Sequence, residues 1–264
     1  MDHAQAGIDL MQLTADQNSV VVLARTGRLA SWHQLTDEQR SQATTEHVEL
    51  MIAVARKYQM STLDGYRLIG PQQRFERFWV IEFPDLAGAE AWINAEMRPP
   101  YGLYGFYEYD LARRFATGFS AALVTDPLPS AKPNAVDPNQ VPPLGIDDEN
   151  VAGLMFSRLD ADAVALDPAR RGDEQHLALA QAAAQRHQLR QLEGFQLLGP
   201  RSDWHCAWVA LFPRLEGVEA WIDAELALPF ANHGSKSFLL ARRWQPDYFS
   251  AWVTDAPEPR SSDR

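Results

Sequence analysis

The sequence predicts a duplicated α+β protein, two copies of one domain with the element order β-α-β-β-α-β. Three observations carry this. The chain repeats itself at a fixed offset, each copy runs through strand-like and helix-like periodicities in the same order, and a proline-rich stretch separates the copies. YRLIGP at 66–71 returns as FQLLGP at 195–200, an offset of 129 residues, and LARRF at 111–115 returns as LARRW at 240–244. Residues 47–126 align with 176–255 without a gap at 32 identities in 80 positions. The matches include Trp, His, Gly and Pro, so composition bias does not explain them. Two copies with so long a period are whole domains rather than solenoid units.

Each element has its own signal. SVVVLAR (19–25) and VAGLMFSRL (151–159) are β-branched or apolar runs and predict the first strands. TDEQ at 36–39 is a capping-box pattern that opens a helix over 36–60. Val48, Met51, Ile52, Val54, Ala55 and Tyr58 follow with helical spacing; Leu177, Ala180, Ala183, Ala184 and His187 match them in the second copy. Gly65 and Gly194 are expected to end the helical regions. GYRLIGP and GFQLLGP predict short strands stopped by Gly-Pro. FERFWVIEF (75–83) and WHCAWVALF (204–212) are the most strand-like runs, stopped by Pro84 and Pro213. Amphipathic helices follow at 86–97 and 215–226. The last strands are YGFYEYDLARRF and KSFLLARRW, each trailed by a short extra strand, SAALV or SAWV.

This order is the ferredoxin-like split motif. Two such sheets can pack face to face as an α+β barrel, and a tandem chain can do so within one molecule. The expected domains are 18–126 and 149–256. The linker between them, 127–148, is semi-extended, with six prolines in 22 residues.

Composition excludes several function classes. The net charge of −11 with no basic stripe argues against nucleic acid and against anionic membranes. No apolar run approaches the ~20 residues of a membrane helix. A single cysteine, Cys206, excludes an internal disulfide and fits a reducing compartment. No Lys or Arg precedes Arg25, unlike a secretory signal, so a cytoplasmic location is expected. The sequence has no HExxH, CxxC, P-loop, GxGxxG or GxSxG motif. His205 and Cys206 are adjacent, so on a strand they face opposite ways. The expectation is therefore no metal and no cofactor. Haem through His47, His176, His187 or His233 is an alternative without specific support.

Several features now coincide in each copy. A His opens the first helix, His47 in TEHVEL and His176 in EQHLAL. A strand then ends in LIGP or LLGP. The next strand ends in Phe, and a helix follows with Leu86 to Trp92, or Leu215 to Trp221. In this the chain resembles the YciI-like (YCII-related) family of small dimeric α+β-barrel proteins. The resemblance implies a His-carboxylate pair, and one branch of that family removes chloride from a hydroxylated chloroaromatic. The family's Asp-Pro step is not kept. Glu96 and Glu225 stand four residues after Trp92 and Trp221, and Pro100 and Pro229 come four residues later.

The candidate catalytic residues are therefore His47 with Glu96 and His176 with Glu225, the histidine as base and the glutamate fixing its tautomer. Asp64 and Glu193 are alternative acids. Trp79, Tyr101, Tyr104, Arg113, Trp208 and Arg242 are candidate substrate-binding residues. The first copy is richer in aromatics at 101–109; the second has Phe230, His233, Ser235, Lys236 and Phe238 there. The function expected is a cofactor-independent lyase, isomerase or dehalogenase acting on a small aromatic substrate. The alternatives are a non-catalytic small-molecule-binding or assembly protein and a haem-binding oxidoreductase. Fusion supplies internally the pairing that single-domain relatives obtain by dimerising, so both monomer and homodimer are open.

Overall fold

The computed structural model describes residues 19–70, 74–115, 123–124, 127, 149–199 and 203–244. The first repeat forms β1 (Val20–Arg28), α1 (Asp37–Lys57), β2 (Thr62–Leu68), β3 (Arg77–Phe83), α2 (Leu86–Glu96) and β4 (Gly105–Arg114). The second forms β5 (Val151–Leu159), α3 (Asp173–His187), β6 (Gln191–Leu197), β7 (Cys206–Phe212), α4 (Leu215–Glu225) and β8 (Gly234–Arg243). This is the predicted α+β order, with antiparallel strands and helices. Contacts divide the chain into two compact units. One comprises Asn18–Asp110 with the segment that begins at Arg243; the other is built on Asp147–Arg242 with the segment that begins at Leu111.

In the first unit β3 lies between β1 and β2. Its register runs from Val20↔Phe83 to Thr26↔Arg77 on one side and from Thr62↔Glu82 to Arg67↔Arg77 on the other. Val21, Val22, Leu23 and Ala24 are all fully buried. Both faces of β1 are covered, which is why its sequence is a continuous apolar run rather than an alternating one. Helix α1 starts as predicted: the Thr36 side chain accepts from the Gln39 N–H, and the Gln39 side chain accepts from the Thr36 N–H. Its buried face is Ala43, Val48, Met51 and Ala55. Helix α2 packs on α1 and on the strands, with Trp92 against Phe83 at 6.0 Å between ring centres.

Gly65 and Gly194 do not end helices. Helix α1 stops at Lys57, and Gln59 makes the turn at φ 54°. Gly65 lies inside β2, opposite Trp79, and Gly194 inside β6, opposite Trp208. A Cβ at Gly65 would fall 2.6 Å from the Trp79 ring and 2.7 Å from the Trp244 carbonyl oxygen. At Gly194 it would fall 2.5 Å from Trp208 and 2.6 Å from Phe115. The glycines are there for close approach, which sequence alone does not separate from helix termination.

In the second unit β5 lies between β7 and β8, and β6 pairs with β7. The end of β4 belongs to this unit and adds to β6 through Ala112↔Leu197 and Arg114↔Phe195. The core gathers Leu189, Leu192, Phe212, Val218 and Trp221, with Leu123 packed in. Helix α3 has 15 residues against 21 in α1 and follows Gly172, whose φ of 78° breaks it from a preceding turn. Most of the linker and of the two expected extra strands lies outside the described residues; Leu123 and Val124 are described and are not in a strand. Among the described residues no helix is long and apolar enough to cross a membrane.

Candidate functional site

The two His-Glu pairs occupy equivalent places in the two repeats but have different chemistry. His47 lies in the middle of α1, and Glu96 is the last residue of α2. Helices α1 and α2 pack together, which brings both residues to one small cavity, also lined by Arg28, Trp79, Tyr101 and Tyr107. Each wall has a local cause. Arg28 ends β1. Trp79 is held by its indole N–H, which donates to the Thr26 hydroxyl at 3.3 Å. Tyr101 opens the turn 101–104 and stacks on His47 at 3.8 Å and 10°. The Arg28 guanidinium donates to the Tyr101 hydroxyl and lies 4.2 Å over the Trp32 ring.

Among the described residues, no carboxylate lies within ion-pair distance of His47. Burial and the nearby Arg28 charge push its pKa down to about 3, so its imidazole is neutral at physiological pH. Burial raises Glu96 to about 7, although hydrogen bonding from the Tyr109 hydroxyl and the Trp92 indole N–H and the charges of Arg28 and Arg77 pull the other way. Oε2 of Glu96 is buried with no partner among the described residues.

The second site is tighter. His176 lies in the first turns of α3, and Glu225 ends α4. Nε2 of His176 stands 3.1 Å from Oε1 of Glu225, an ion-pair distance, although the ring N–H is not aligned for a hydrogen bond to it. Lys236 Nζ stands 3.0 Å from the other carboxylate oxygen and 4.1 Å over the Phe230 ring. His176 stacks on Phe230 at 3.9 Å and 15°, as His47 does on Tyr101. Burial alone would raise Glu225, but His176 and Lys236 outweigh it and hold the carboxylate below its usual range. Burial lowers Lys236, partly offset by Glu225. At the register positions of Arg28, Arg77 and Tyr107 the second repeat has Leu159, Cys206 and Lys236.

The structure thus brings together His47, Glu96, Trp79 and Tyr101 in one repeat and His176 with Glu225 in the other. Tyr104 packs against Trp32, Trp208 packs against Phe115, and neither Arg113 nor Arg242 lines the cavity. The Arg242 side chain donates to the Glu149 carbonyl at 3.4 Å. Asp64 and Glu193 are not partners of the histidines. They form ion pairs with Arg243 and Arg114, the latter at 2.8 Å, because strand alternation turns both acids away from the helix layer. Arg28 and the role of Lys236 were missed; the one sequence signal was that neither residue type is kept in the other repeat, where Leu159 and Tyr107 stand in their places. Burial pushes the Cys206 thiol up to about 11, which leaves little thiolate near neutrality. Among the described residues no group of three or more His, Cys, Asp or Glu is placed to hold a bare metal ion.

No protein-family model matches this sequence, and no curated protein matches it significantly. Solved structures do share the fold. Chlorite dismutase from Candidatus Nitrospira defluvii in complex with imidazole is similar over 93% of this chain and 99% of that one, at TM-score 0.65 and 14% identity. A mutant of the same enzyme in complex with cyanide is similar over 89% and 94%, at 0.62 and 15%. A haem-binding protein from Thermus thermophilus is similar over 89% and 95%, at 0.58 and 12%. The chain therefore shares the α+β fold of these proteins, and the YciI-like resemblance finds no matching family model. The expectation of no cofactor is overturned by these neighbours. One is named for binding haem, and others are complexes with cyanide or imidazole. A haem held through one histidine would leave no multi-residue metal motif to be read in a sequence.

Proposed function

We propose that this chain is a haem-binding oxidoreductase of the dimeric α+β-barrel superfamily, with His176 as the axial ligand. The observation that carries the reading is the 3.1 Å approach of His176 to an ionised, buried Glu225. A ligating histidine characteristically gives its other ring N–H to a carboxylate, which fixes the ring and raises its basicity. Here Nε2 lies 3.1 Å from Glu225, close enough for a small turn of the ring to align that bond, and no described residue bonds the other nitrogen. Phe230 holds the ring plane by stacking, and Lys236 keeps Glu225 ionised. The donor set therefore fits haem, which when bound supplies the redox-active iron. His47 fits less well, because it has no carboxylate behind it and its cavity is occupied by cationic and aromatic side chains.

The neighbours named as chlorite dismutase and as a haem-binding protein support the same cofactor. The test is titration of the full chain with haemin, followed in the Soret region. One equivalent is expected to bind, with binding lost in His176→Ala and kept in His47→Ala. A flat titration, or equal loss in both variants, overturns the assignment.

A further inference from the structure

We infer that the first repeat carries a binding groove for an aromatic anion, where β1 and β2 end and β3 and β4 begin. The groove holds about 580 Å³ and opens to solvent. Small-molecule sites span ~300–1,000 Å³, so it has room for a ring system and not only for a simple ion. Arg28 is the one wall residue that it shares with the cavity beside His47. The backbone fixes the walls. The Leu68 N–H donates to the Glu76 carbonyl and the Glu76 N–H to the Thr26 carbonyl, each at 2.9 Å. The Leu29 N–H donates to the Tyr104 carbonyl at 2.9 Å, close to Phe106 at the start of β4.

Charge and aromatic surface together select the ligand. Arg28, Arg67 and Arg74 line the groove, with Glu76 as its one acid. Arg67 and Arg74 are exposed, and among the described residues neither has an ion-pair partner. This local excess of positive charge stands in a chain of net charge −11. Guanidinium groups bind carboxylate or phosphate oxygens in paired, charge-assisted bonds. The rest of the wall is apolar. Phe75 and Phe106 pack at 5.4 Å between ring centres, and the Arg74 guanidinium lies 5.0 Å from the centre of the Phe106 ring. A flat aromatic body can stack on such a surface while its acidic edge meets the arginines.

The second repeat shows that the fold does not require this set. At the places of Arg28, Arg67, Arg74 and Phe106 it has Leu159, Gln196, Asp203 and Ser235. All three cations and the aromatic ring are replaced there, although the strands pair in the same order and register. The arginines and Phe106 therefore stand or fall as a group, as the parts of one site do.

The experiment is calorimetric titration of the full chain near pH 7 with 2-naphthoate, 2-naphthyl phosphate, neutral 2-naphthol and inorganic phosphate. At least one of the two aromatic anions is expected to bind saturably at one site, at least fivefold more tightly than 2-naphthol or inorganic phosphate. The tighter of the two tells a carboxylate ligand from a phosphate one. The double variant Arg67→Gln, Arg74→Asp and the single variant Phe106→Ser take their new residues from the second repeat. Each, checked for native circular dichroism, should weaken binding at least tenfold. The exposed Glu219→Gln control should match the parent chain. No saturable binding of either aromatic anion overturns the proposal; so does equal affinity for 2-naphthol or inorganic phosphate, or full affinity in either folded variant. The haem assignment is read on His176 in the other repeat, so either can fail alone.

Discussion

Nε2 of His176 lies 3.1 Å from Oε1 of Glu225, while His47, its counterpart 129 residues earlier, has no such carboxylate among the described residues. The same two residue types on equivalent helices therefore carry different chemistry. The difference follows from neighbours that the duplication did not keep, above all Lys236 in place of Tyr107. Glu225→Gln keeps the shape and removes the charge. It is expected to weaken haem retention about 10–100-fold, the range for losing a carboxylate behind a ligating histidine. The check is haem transfer to apomyoglobin, read in the Soret region.

Glu96 makes stability fall with pH in a defined window. Its pKa is raised from 4.5 to about 7 in the folded chain, so the folded state holds the proton more tightly than the unfolded state. Its contribution is fully present below pH ~4.5 and is lost as pH rises through ~7, by on the order of 3 kcal/mol. His47 acts in the opposite sense at lower pH. Its folded pKa of about 3 makes stability rise with pH between 3 and 6.5. Glu96→Gln is expected to gain stability relative to the parent chain between pH 5 and 8. Urea unfolding at those two pH values measures it, and an unchanged difference would sink the buried-acid account.

Gly65→Ala and Gly194→Ala are expected to destabilise by about 1–3 kcal/mol each, the range for forced overpacking. The added Cβ would meet a tryptophan ring and, at Gly65, the Trp244 backbone, and neither group can swing away as a flexible side chain does. Thermal denaturation of both variants is the measurement. A neutral Gly65→Ala would mean the Trp79 and Trp244 contacts relax freely.

The Arg114–Glu193 pair at 2.8 Å recurs as Arg243–Asp64. Each side chain keeps 11–18% of its surface exposed, so solvent screens the pairs in part. Arg114→Met alone is expected to cost about 1–3 kcal/mol, below the ~3–5 kcal/mol of a fully buried pair that loses one partner. Adding Glu193→Leu should recover part of that loss. A double-mutant cycle with zero coupling would remove the pair from the list of stabilising contacts.

Thr36→Ala tests the capping box on its own. It removes one acceptor at the start of α1 and is expected to cost about 1 kcal/mol, read by denaturant unfolding.

The duplication, the β-α-β-β-α-β order, the helix starts and the burial of β1 were all legible in the sequence. Each rests on short-range physics: period 3.6 or 2 in hydrophobicity, a capping box at Thr36, and identities that recur at one offset. The pairing of His176 with Glu225 was legible too, because repetition flagged both residues twice. What the tertiary structure decided is which glutamate is charged. Glu96 and Glu225 end matching helix patterns, yet burial away from any close cation raises one to about 7 and burial beside His176 and Lys236 leaves the other low. The fold likewise decided that Gly65 serves a tryptophan rather than a helix end, and that Asp64 and Glu193 meet arginines distant in sequence rather than histidines. Protonation and close approach depend on groups far apart in the chain, and no local pattern encodes them.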